Sequence, residues 1–259
     1  MKVSLLNSTP FALETLLLTK STRLKMSSSS LEEVIAWPEE KKRSELKYML
    51  GTIQSSWEFV DFVFLIEDVS RAFTHQLVRH RVGTSFAQQS QRTVDMSGFN
   101  YVVPDGIDNY EKSTIYDDAM EEINRSYQKL INLGAKPEDA RGVLPTNICT
   151  NIIFKANLRT LHGMCGERLC VKAQGEFQQV VKEMRDQVLR IHSWAEPMLR
   201  VHCAFTGVCC FPNVTNCKIK DGTFNPETGE RYDGNEIMHI MTKTDIQRMW
   251  EDLDGRLAK

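Results

Sequence analysis

The sequence lacks both a long uninterrupted apolar run and a charge excess of either sign. An early apolar stretch, Phe11 to Leu18, is interrupted by Glu14, and no stretch approaches the roughly 18–20 apolar residues of a membrane-spanning helix. No small-residue cleavage site follows cleanly, so we expect no secretory signal. Lys and Arg number 32 against 34 Asp and Glu, a net charge of −2. These absences predict a soluble, cytoplasmic protein with no global charge that would attract nucleic acid or a membrane.

Cysteine occurs in an odd number, seven in 259 residues, which is not typical of a disulfide scaffold and predicts a reduced protein. Hydrophobic residues make up 41% and charged residues 25%, which excludes wholesale disorder and collagen-like or coiled-coil chains. The length fits one large domain or two small ones. We expect a main domain over residues 1–217 and an appendage over residues 218–259, where turn signals such as Asn225-Pro226 concentrate.

Four of the cysteines lie near the end of the expected main domain. Cys203, Cys209, Cys210 and Cys217 are close in sequence to His202, but their spacing matches no ordinary zinc knuckle. We therefore expect free thiols and no metal site, with zinc as the alternative. The remaining cysteines are Cys149, Cys165 and Cys170, and a catalytic nucleophile among them is the less favoured interpretation.

The first part of the chain predicts alternating helices and strands. Val3 to Leu6 favours a short strand, and a helix is expected from about Phe11. Ser30 has the spacing of a capping box with the acid three residues later, which predicts the start of a short helix. Pro38 is typical of a first helical turn, and the helix that it begins is expected to end at Gly51.

Residues 57–92 contain a strand, a helix and a loop in our interpretation. Trp57 to Ile66 is rich in aromatic and β-branched residues, which favours a strand buried on both faces. Asp68 is then expected to cap a helix, whose apolar residues would be Val69, Ala72, Phe73 and Leu77. Residues 82–92 are small and polar, so we expect a loop there.

The second half of the chain carries the strongest helical periodicity. Tyr116 to Leu130 predicts a long amphipathic helix ended by Gly134. Residues 144–154 favour an extended or irregular segment, and Asn157 is expected to cap the next helix. Val181 to Met198 repeats apolar residues at spacings of three and four, which predicts one long core helix.

One segment departs from the neutral average charge. Residues 69–94 contain no Asp or Glu but include four arginines and two histidines, namely Arg71, Arg79, Arg81, Arg92, His75 and His80. Arginine presents a rigid fork of donors that suits phosphate and planar carbonyl groups. A helix that leads into a loop containing Gly and Ser could therefore cradle an anionic ligand. The alternative is a solvated basic face, although such a face normally mixes both signs.

A second basic cluster lies at residues 155–172, where one acid, Glu167, accompanies five basic residues: Lys155, Arg159, His162, Arg168 and Lys172. Arg159 and His162 are three residues apart, so a helix would place them on one side. Two such clusters suggest one polyanion-binding site assembled from both. Nucleic acid would in addition require exposed aromatic residues for base stacking, and Phe73 and Phe86 are the candidates.

The residues of these clusters resemble a known signature. Arg79-His80-Arg81 followed by Gln88-Gln89-Ser90-Gln91-Arg92 is similar to the pattern of the flavin-dependent thymidylate synthases, RHR, seven residues, then S-x-R. Leu144-Pro145, Asn157-Leu158-Arg159 and the segment from Arg168 to Gln174 resemble the family's second region in order and spacing. The similarity covers residues 50–217.

The resemblance implies an α+β fold with a mixed or antiparallel sheet, flanking long helices and an active site between the subunits of a homotetramer. It also implies two sets of ligand-binding residues. The positions that would contact FAD are Ser55, Glu58, Arg79, His80, Arg81, Gln88, Asn157, Arg159 and Gly163. The positions that would hold dUMP are Gln76, Arg79, Gln88, Gln89, Ser90, Gln91, Arg92, Asn151 and Arg168. Arg168 matches the arginine that lies against the uracil and stabilises negative charge on it, the catalytic role that we expect here.

The implied reaction is reductive methylation of dUMP at C5. Methylenetetrahydrofolate supplies the one-carbon unit, reduced FAD the hydride, and NADPH re-reduces the flavin. No enzyme cysteine is needed, and we expect a pyrimidine deoxynucleotide, not nucleic acid or membrane, as the partner.

Several residues depart from the family pattern. Eight residues, not seven, separate Arg81 from Ser90. Thr93 stands where tyrosine is common, and Asn151 stands where a basic residue near the nucleotide is usual; Gly163, Lys172 and Gly175 also differ. These departures motivate two alternatives. One is a pyrimidine nucleotide hydroxymethylase that acts on dUMP or dCMP, since asparagine can both donate and accept hydrogen bonds. The other is a flavin- or nucleotide-binding member without turnover.

Overall fold

A computed structural model describes residues 1–24, 30–206, 209, 211 and 217. Four strands lie in this part of the chain: β1 (Lys2–Ser8), β2 (Asp61–Ser70), β3 (Thr84–Gln88) and β4 (Cys149–Asn157). The α-helices there are α1 (Ala12–Leu24), α2 (Leu31–Ile35), α3 (Glu39–Leu50), α4 (Arg71–Leu77), α5 (Tyr110–Asn132), α6 (Pro137–Ala140), α7 (Leu158–Arg168), α8 (Gly175–Ile191) and α9 (His202–Thr206). Short 3₁₀ helices span Gln54–Phe59, Arg141–Val143 and Ser193–Met198. Among the described helices, none is long and apolar enough to cross a membrane.

The strands form one sheet in the order β1-β2-β4-β3. Asp61 pairs with Lys155 at 2.9 Å, and the Asp68 main-chain N–H contacts the Asn151 side chain at 3.0 Å. Residue numbers therefore fall along β4 as they rise along β2, and the two central strands run antiparallel. Alternate residues of β2 are fully buried, as in a strand whose one face contacts the core. The α+β prediction is confirmed.

The chain divides into two compact units. The first unit comprises Met1–Ser4 and Phe64–Phe154, and part of its core is a cluster under α5. Met96, Tyr127, Ala140 and Ile148 form that cluster. The buried Tyr127 hydroxyl accepts a hydrogen bond from the main-chain N–H of Met96 at 3.1 Å, so its polar atom is satisfied inside an apolar cluster.

The second unit comprises Leu5–Val63 and Lys155–Lys259, of which the structure describes the parts given above. Its helices α1, α2 and α3 pack together, and α7 packs on α8 and on the 3₁₀ helix at Gln54–Phe59. Trp57 and Leu161 are fully buried there, as are Met184 and Val188 of α8. The predicted appendage over residues 218–259 lies outside the described residues.

Several helix boundaries confirm the sequence predictions. The Ser30 hydroxyl accepts from the Glu33 N–H at 3.2 Å and starts α2, and the Asn157 amide oxygen accepts from the Thr160 N–H at 2.9 Å and starts α7. These contacts satisfy main-chain N–H groups that have no partner within the helix. Gly134 follows the end of α5 with a φ of +89°, a conformation that glycine adopts without strain.

The prediction that Asp68 caps a helix was wrong. Strand β2 continues to Ser70, and the Ser70 hydroxyl accepts from the Phe73 N–H at 2.9 Å to cap α4. Val69 therefore belongs to the strand. The strand predicted from Trp57 begins instead at Asp61, because Gln54–Phe59 forms a 3₁₀ helix.

Two further boundaries differ from the sequence predictions. The loop predicted at 82–92 contains strand β3, which is held by stacking of Phe86 on Phe154, with ring centres 5.3 Å apart. The core helix predicted to reach Met198 ends at Ile191. Pro197 accounts for part of that difference, since proline within an α-helix lacks the N–H that the preceding turn needs and its ring collides with that turn.

Candidate functional site

The first basic segment lies in the first unit and extends from α4 to β3. Arg79, His80 and Arg81 occupy the turn directly after α4. The Thr84 hydroxyl donates to the His80 carbonyl at 2.7 Å and closes this turn. Arg79 and Arg81 are exposed, so their guanidinium groups are accessible to an anionic ligand. Helix α4 therefore ends at Leu77, and the three basic residues lie in the turn that follows it.

The His75 side chain forms a hydrogen bond with the Arg79 side chain. Its Nε2 lies 3.2 Å from Nη2 of Arg79, one helical turn later. Since a guanidinium only donates, the neutral imidazole accepts this hydrogen bond at Nε2. This contact restricts the side chain of Arg79. Gln76, on the same helix, is partly buried.

Gln88 is held in one orientation by two threonines. Its Nε2 donates to the Thr74 hydroxyl at 2.9 Å and lies 3.4 Å from the Thr150 hydroxyl. The Thr74 hydroxyl gives its single proton to the Arg71 carbonyl at 3.1 Å, so towards Gln88 it can only accept. The side-chain amide nitrogen of Gln88 must therefore face Thr74, and the side-chain carbonyl oxygen remains as the acceptor for a ligand.

The loop from Gln89 to Arg92 is fixed by its main chain. The Gln89 N–H donates to the Asn151 carbonyl at 3.0 Å, and the Arg92 N–H donates to the Ser90 hydroxyl at 3.1 Å. Nε2 of Gln91 is buried and has no hydrogen-bond partner among the described residues. A buried donor without a partner is costly unless a ligand or water accepts from it.

A small polar cavity lies beside this loop in the first unit, with a volume of about 250 Å³. Gln89 and Asn151 line it together with Asp68, Asp95 and Asn100. The main-chain N–H and then the hydroxyl of Ser97 hold the pKa of Asp95 below its ordinary value. The cavity therefore carries negative charge next to amide groups.

The remaining predicted ligand-binding residues belong to the second unit. Ser55 and Glu58 lie on the 3₁₀ helix at Gln54–Phe59, and Glu58 forms an ion pair with Arg159 of α7. Both partners are about half exposed, 40% and 50%. The Asn157 side chain is buried and its oxygen caps α7, which leaves its amide nitrogen as a donor for a ligand.

Arg168 ends α7 and lines a cavity of the second unit that has a volume of about 560 Å³. Its guanidinium carbon lies 4.7 Å from the centre of the Phe177 ring, and Nη2 is 3.6 Å from the Glu167 carboxylate. Its Nε is buried and has no hydrogen-bond partner in the described part of the chain. The guanidinium is thus partly oriented by the ring and keeps a donor for a ligand.

The same cavity is bordered by Gly163 and Lys172, two of the positions that depart from the family pattern. His162 also borders it, but Nδ1 lies 2.5 Å from the Met198 carbonyl and the ring meets Trp57 edge-on, with ring centres 5.1 Å apart. Burial lowers the pKa of His162. Although Arg159 and His162 share α7, His162 is packed against the protein while Arg159 is exposed.

The thiols of Cys165 and Cys203, near this cavity, are not activated. Complete burial raises the pKa of Cys165 to about 12. Burial, and then the neighbouring thiols of Cys209, Cys217 and Cys170, raise the pKa of Cys203 to about 11. Among the described residues, no group of three or more His, Cys, Asp or Glu is placed to hold a metal ion. Cys210 lies outside those residues.

The structure therefore arranges the predicted site residues in two groups. Gln76, the Arg79–Arg81 turn, the Gln88–Arg92 segment and Asn151 belong to the first unit. Ser55, Glu58, Asn157, Arg159, Gly163 and Arg168 belong to the second. Within the first group, Asn151 and Gln89 are brought into direct contact, as are Glu58 and Arg159 within the second.

Sequence reasoning missed three residues that position side chains of the first group: Asp68, Thr74 and Thr150. Thr74 and Thr150 orient Gln88 across two elements that are distant in sequence. Asp68 has a φ of +54° inside β2. The available signal was its residue type, because Asp and Asn adopt this left-handed conformation more readily than most residues.

Comparison with known proteins finds one family along most of the chain. The family model described as thymidylate synthase complementing protein matches residues 5–193. A flavin-dependent thymidylate synthase of Clostridium tetani is 36% identical over 209 residues, which cover 73% of this chain and 83% of the relative. The flavin-dependent thymidylate synthase of Geobacter sulfurreducens is 38% identical over 192 residues, which cover 71% of this chain and 80% of the relative. The flavin-dependent thymidylate synthase of Pyrococcus furiosus is 39% identical over 170 residues, which cover 60% of this chain and 67% of the relative.

Proposed function

The chain belongs to the thymidylate synthase complementing protein family, and on that premise we propose that it is a flavin-dependent thymidylate synthase. It transfers the one-carbon unit of methylenetetrahydrofolate to C5 of dUMP and forms dTMP, with FAD as cofactor and NADPH as reductant. The observation that carries the proposal is the accessible Arg79-His80-Arg81 turn followed by the fixed Gln88–Arg92 segment, within a chain similar to named enzymes of this activity over most of its length.

The residues present fit a flavin. Its pyrophosphate needs fixed donors, and Arg79 and Arg81 offer exposed guanidinium groups, one of them braced by His75. In the second unit, Ser55, Glu58 and Arg159 are exposed side chains that can contact the same cofactor. When bound, FAD supplies the hydride for the reaction. The protein supplies orientation and charge.

We assign nucleotide binding to the loop next to β3 and to Arg168. Gln88 presents a carbonyl oxygen, Gln91 a buried amide donor and Arg92 an exposed guanidinium. These groups supply both acceptors for base N–H groups and donors for phosphate oxygens. Gln76, Gln89 and Ser90 complete the set.

Arg168 is the residue to which we assign catalysis. Attack from C5 of uracil places negative charge on the ring, and a fixed guanidinium in a cavity with little water stabilises that charge. Its partial burial, its contact with Phe177 and its buried Nε without a partner among the described residues support this role. No thiol is required, in keeping with the raised pKa values of Cys165 and Cys203.

We further propose a cytoplasmic homotetramer in which different subunits contribute to each active site. The similarity to the family supports this arrangement, and the division of the predicted site residues between two units is compatible with it. Size-exclusion chromatography with light scattering tests the assembly. Turnover by an assembly of two chains would overturn the tetramer, and turnover by a single chain would overturn the shared site.

The test of the activity is a product assay with the FAD-loaded protein, dUMP, methylenetetrahydrofolate and NADPH. Liquid chromatography with mass spectrometry is expected to show dTMP. A product heavier than dTMP by about 16 Da, one oxygen atom, would instead identify a hydroxymethylase. Absence of product with a bound flavin that NADPH cannot bleach would identify a binding protein without turnover.

The hydroxymethylase remains the second candidate because of one observation. Asn151 stands where the family usually has a basic residue, and it borders a cavity that contains Asp68 and Asp95. At this position the chain therefore lacks the positive charge of the family pattern, and the product assay with dCMP in place of dUMP tests whether its chemistry differs as well.

A further inference from the structure

The Arg168 guanidinium, at the end of α7, lies over the aromatic ring of Phe177 on α8. The guanidinium carbon is 4.7 Å from the centre of that ring, and Phe177 is fully buried. A cation at this distance is attracted by the electron density of the ring face. Arg168 is therefore held from the side of the core by a contact that involves no negative charge.

The Phe177 ring is a fixed support because it belongs to the buried face of α8. Val180, Val181 and Met184 are fully buried as well. They follow Phe177 at intervals of three, four and seven residues, so the helix places them on the same face. Protein interiors are close-packed, and a buried ring cannot turn aside without displacing its surroundings. The position of the ring under Arg168 is thus set by the fold.

The next residue of α8, Gln178, holds the main chain beside Arg168. Its Nε2 donates to the Leu169 carbonyl at 3.0 Å. A carbonyl can only accept, so the side-chain amide nitrogen of Gln178 must face it. Two consecutive residues of α8 therefore hold the end of α7, Gln178 at the main chain and Phe177 at the guanidinium.

The neighbouring Glu167 holds the guanidinium less firmly than the ring does. Its carboxylate lies 3.6 Å from Nη2 of Arg168, but the Glu167 side chain is 65% exposed. Solvent weakens an ion pair of this kind, and adjacent residues of a helix do not face each other. The contact with Phe177 is therefore the better fixed of the two.

An aromatic ring suits a guanidinium that must stabilise charge on a substrate. A buried carboxylate would form hydrogen bonds with the N–H groups and would neutralise the positive charge. A ring that stacks on an arginine contacts the flat face of the guanidinium, while the N–H groups point outward in its plane. The buried Nε of Arg168 has no hydrogen-bond partner among the described residues, which agrees with a donor kept for a ligand.

We propose that Phe177 is a positioning residue for the reaction, whose ring holds the Arg168 guanidinium while leaving its charge and N–H groups to the uracil ring. This inference rests on the proposed function and adds to it a residue that acts only through Arg168. Phe177 touches neither substrate nor cofactor in this assignment. Its loss is therefore expected to affect the chemical step more than the binding of dUMP.

The test is the steady-state kinetics of dTMP formation by the FAD-loaded protein with dUMP, methylenetetrahydrofolate and NADPH. F177L keeps an apolar side chain but has no ring face. It is expected to lower kcat by about three- to tenfold, because the contact between cation and ring is lost. The KM for dUMP is expected to stay within about twofold of the wild type. An unchanged kcat would overturn the inference.

A double-mutant cycle separates the positioning of Arg168 from damage to the core. If Phe177 acts through Arg168, F177L has no further effect on kcat in the R168A background. Loss by the same factor in both backgrounds would assign Phe177 to the fold alone and would overturn the inference. The control is V188A, which truncates another fully buried residue of α8. It is expected to lower the urea midpoint and to keep kcat, and a loss of kcat equal to that of F177L would likewise overturn the inference.

A replacement that keeps the shape of the ring makes the test independent of whether F177L folds. Trifluorinated phenylalanine in place of Phe177 retains the ring, but its fluorine atoms withdraw electron density from the ring face and weaken the attraction for a cation. It is expected to lower kcat by about threefold or more. A kcat equal to that of the wild type would overturn the inference. Failure of the wild type to form dTMP would instead overturn the proposed function itself.

Discussion

The Glu58 carboxylate forms an ion pair with the Arg159 guanidinium, although 101 residues separate them in the chain. The 3₁₀ helix at Gln54–Phe59 and α7 pack together and bring them into contact. Both residues are positions that the family resemblance associates with the flavin. The contact thus gathers two predicted cofactor ligands in one place within the second unit.

The first prediction separates the contribution of this pair to stability from its contribution to the cofactor. R159A is expected to change the free energy of unfolding by about 0–1 kcal/mol, because exposed ion pairs stabilise little. The same variant is expected to lower the FAD content of the purified protein severalfold, because a flavin contact is lost. Urea unfolding and the absorbance of released FAD measure the two effects.

The control for that experiment is K155A. Lys155 forms an ion pair of comparable exposure with Asp61, 39% and 38%, and no flavin contact is assigned to it. K155A is expected to match R159A in stability while keeping its FAD. Equal loss of FAD in both variants would contradict the role of Arg159.

The second prediction concerns Arg168. R168A is expected to reduce turnover by a factor of about 10² to 10³, because charge on the uracil ring loses its fixed counterion. R168K keeps the charge but loses the planar fork, so it is expected to recover only part of the activity. Steady-state rates of dTMP formation measure the effect.

The oligomeric state of R168A shows whether its loss of activity comes from a disrupted assembly. R168A is expected to elute as the same oligomer as the wild type, and R190A, which removes an exposed arginine from α8, is expected to keep both the oligomer and the activity. Full turnover by R168A would remove Arg168 from the catalytic machinery.

The third prediction is that Cys165 is inert in the folded protein. Because burial raises its pKa to about 12, its thiolate is scarce at neutral pH and its sulfur is inaccessible. Peptide mass spectrometry after iodoacetamide treatment at pH 7 is expected to find Cys165 modified only when urea is present. Turnover by C165A is expected to be within a few-fold of wild type, and a complete loss with intact folding would reopen a cysteine nucleophile.

The fourth prediction concerns stability at acidic pH. Burial lowers the pKa of both His162 and His192, so each binds a proton less readily in the folded than in the unfolded state. Above about pH 6.5, the pKa of an unfolded histidine, both residues are mostly neutral in the folded and the unfolded state and add little pH dependence. As the pH falls below about 6.5, the unfolded state gains protons first and the free energy of unfolding decreases.

The slope of the free energy of unfolding against pH measures this effect. Each histidine contributes at most about 1.4 kcal/mol per pH unit between its unfolded and folded pKa values. Urea unfolding between pH 5 and 7.5 is expected to show a shallower dependence in H192Q than in the wild type, because glutamine can still contact the Ser8 hydroxyl but does not titrate in this range. An unchanged slope in H192Q would contradict the assignment to His192.

Local rules predicted those parts of the fold in which the cause lies within a few residues. Ser30 and Asn157 cap helices as expected, and Gly134 follows the end of α5. Asp68 shows the limit of such rules. It has the residue type of a cap, but Ser70 two residues later caps α4 because pairing with the neighbouring strands extends β2 past Asp68.

Strand β3 shows the same limit for a segment. Apart from Phe86, its residues are small or polar, so little in their composition distinguishes them from a loop. The stacking of Phe86 on Phe154 and the hydrogen bond from Gln89 to Asn151 fix this segment beside β4. Both partners lie more than 60 residues away in sequence, where no local pattern reveals them.

The sequence by itself determined the family, the two basic clusters and the residue types available for flavin and nucleotide. These properties depend on which side chains occur and in what order. Tertiary structure alone decided the orientation of those side chains: Thr74 fixes the Gln88 amide, and the Asp68 backbone fixes that of Asn151. An amide can donate or accept until a partner of defined polarity faces it, and here the fold supplies that partner from a distant part of the chain.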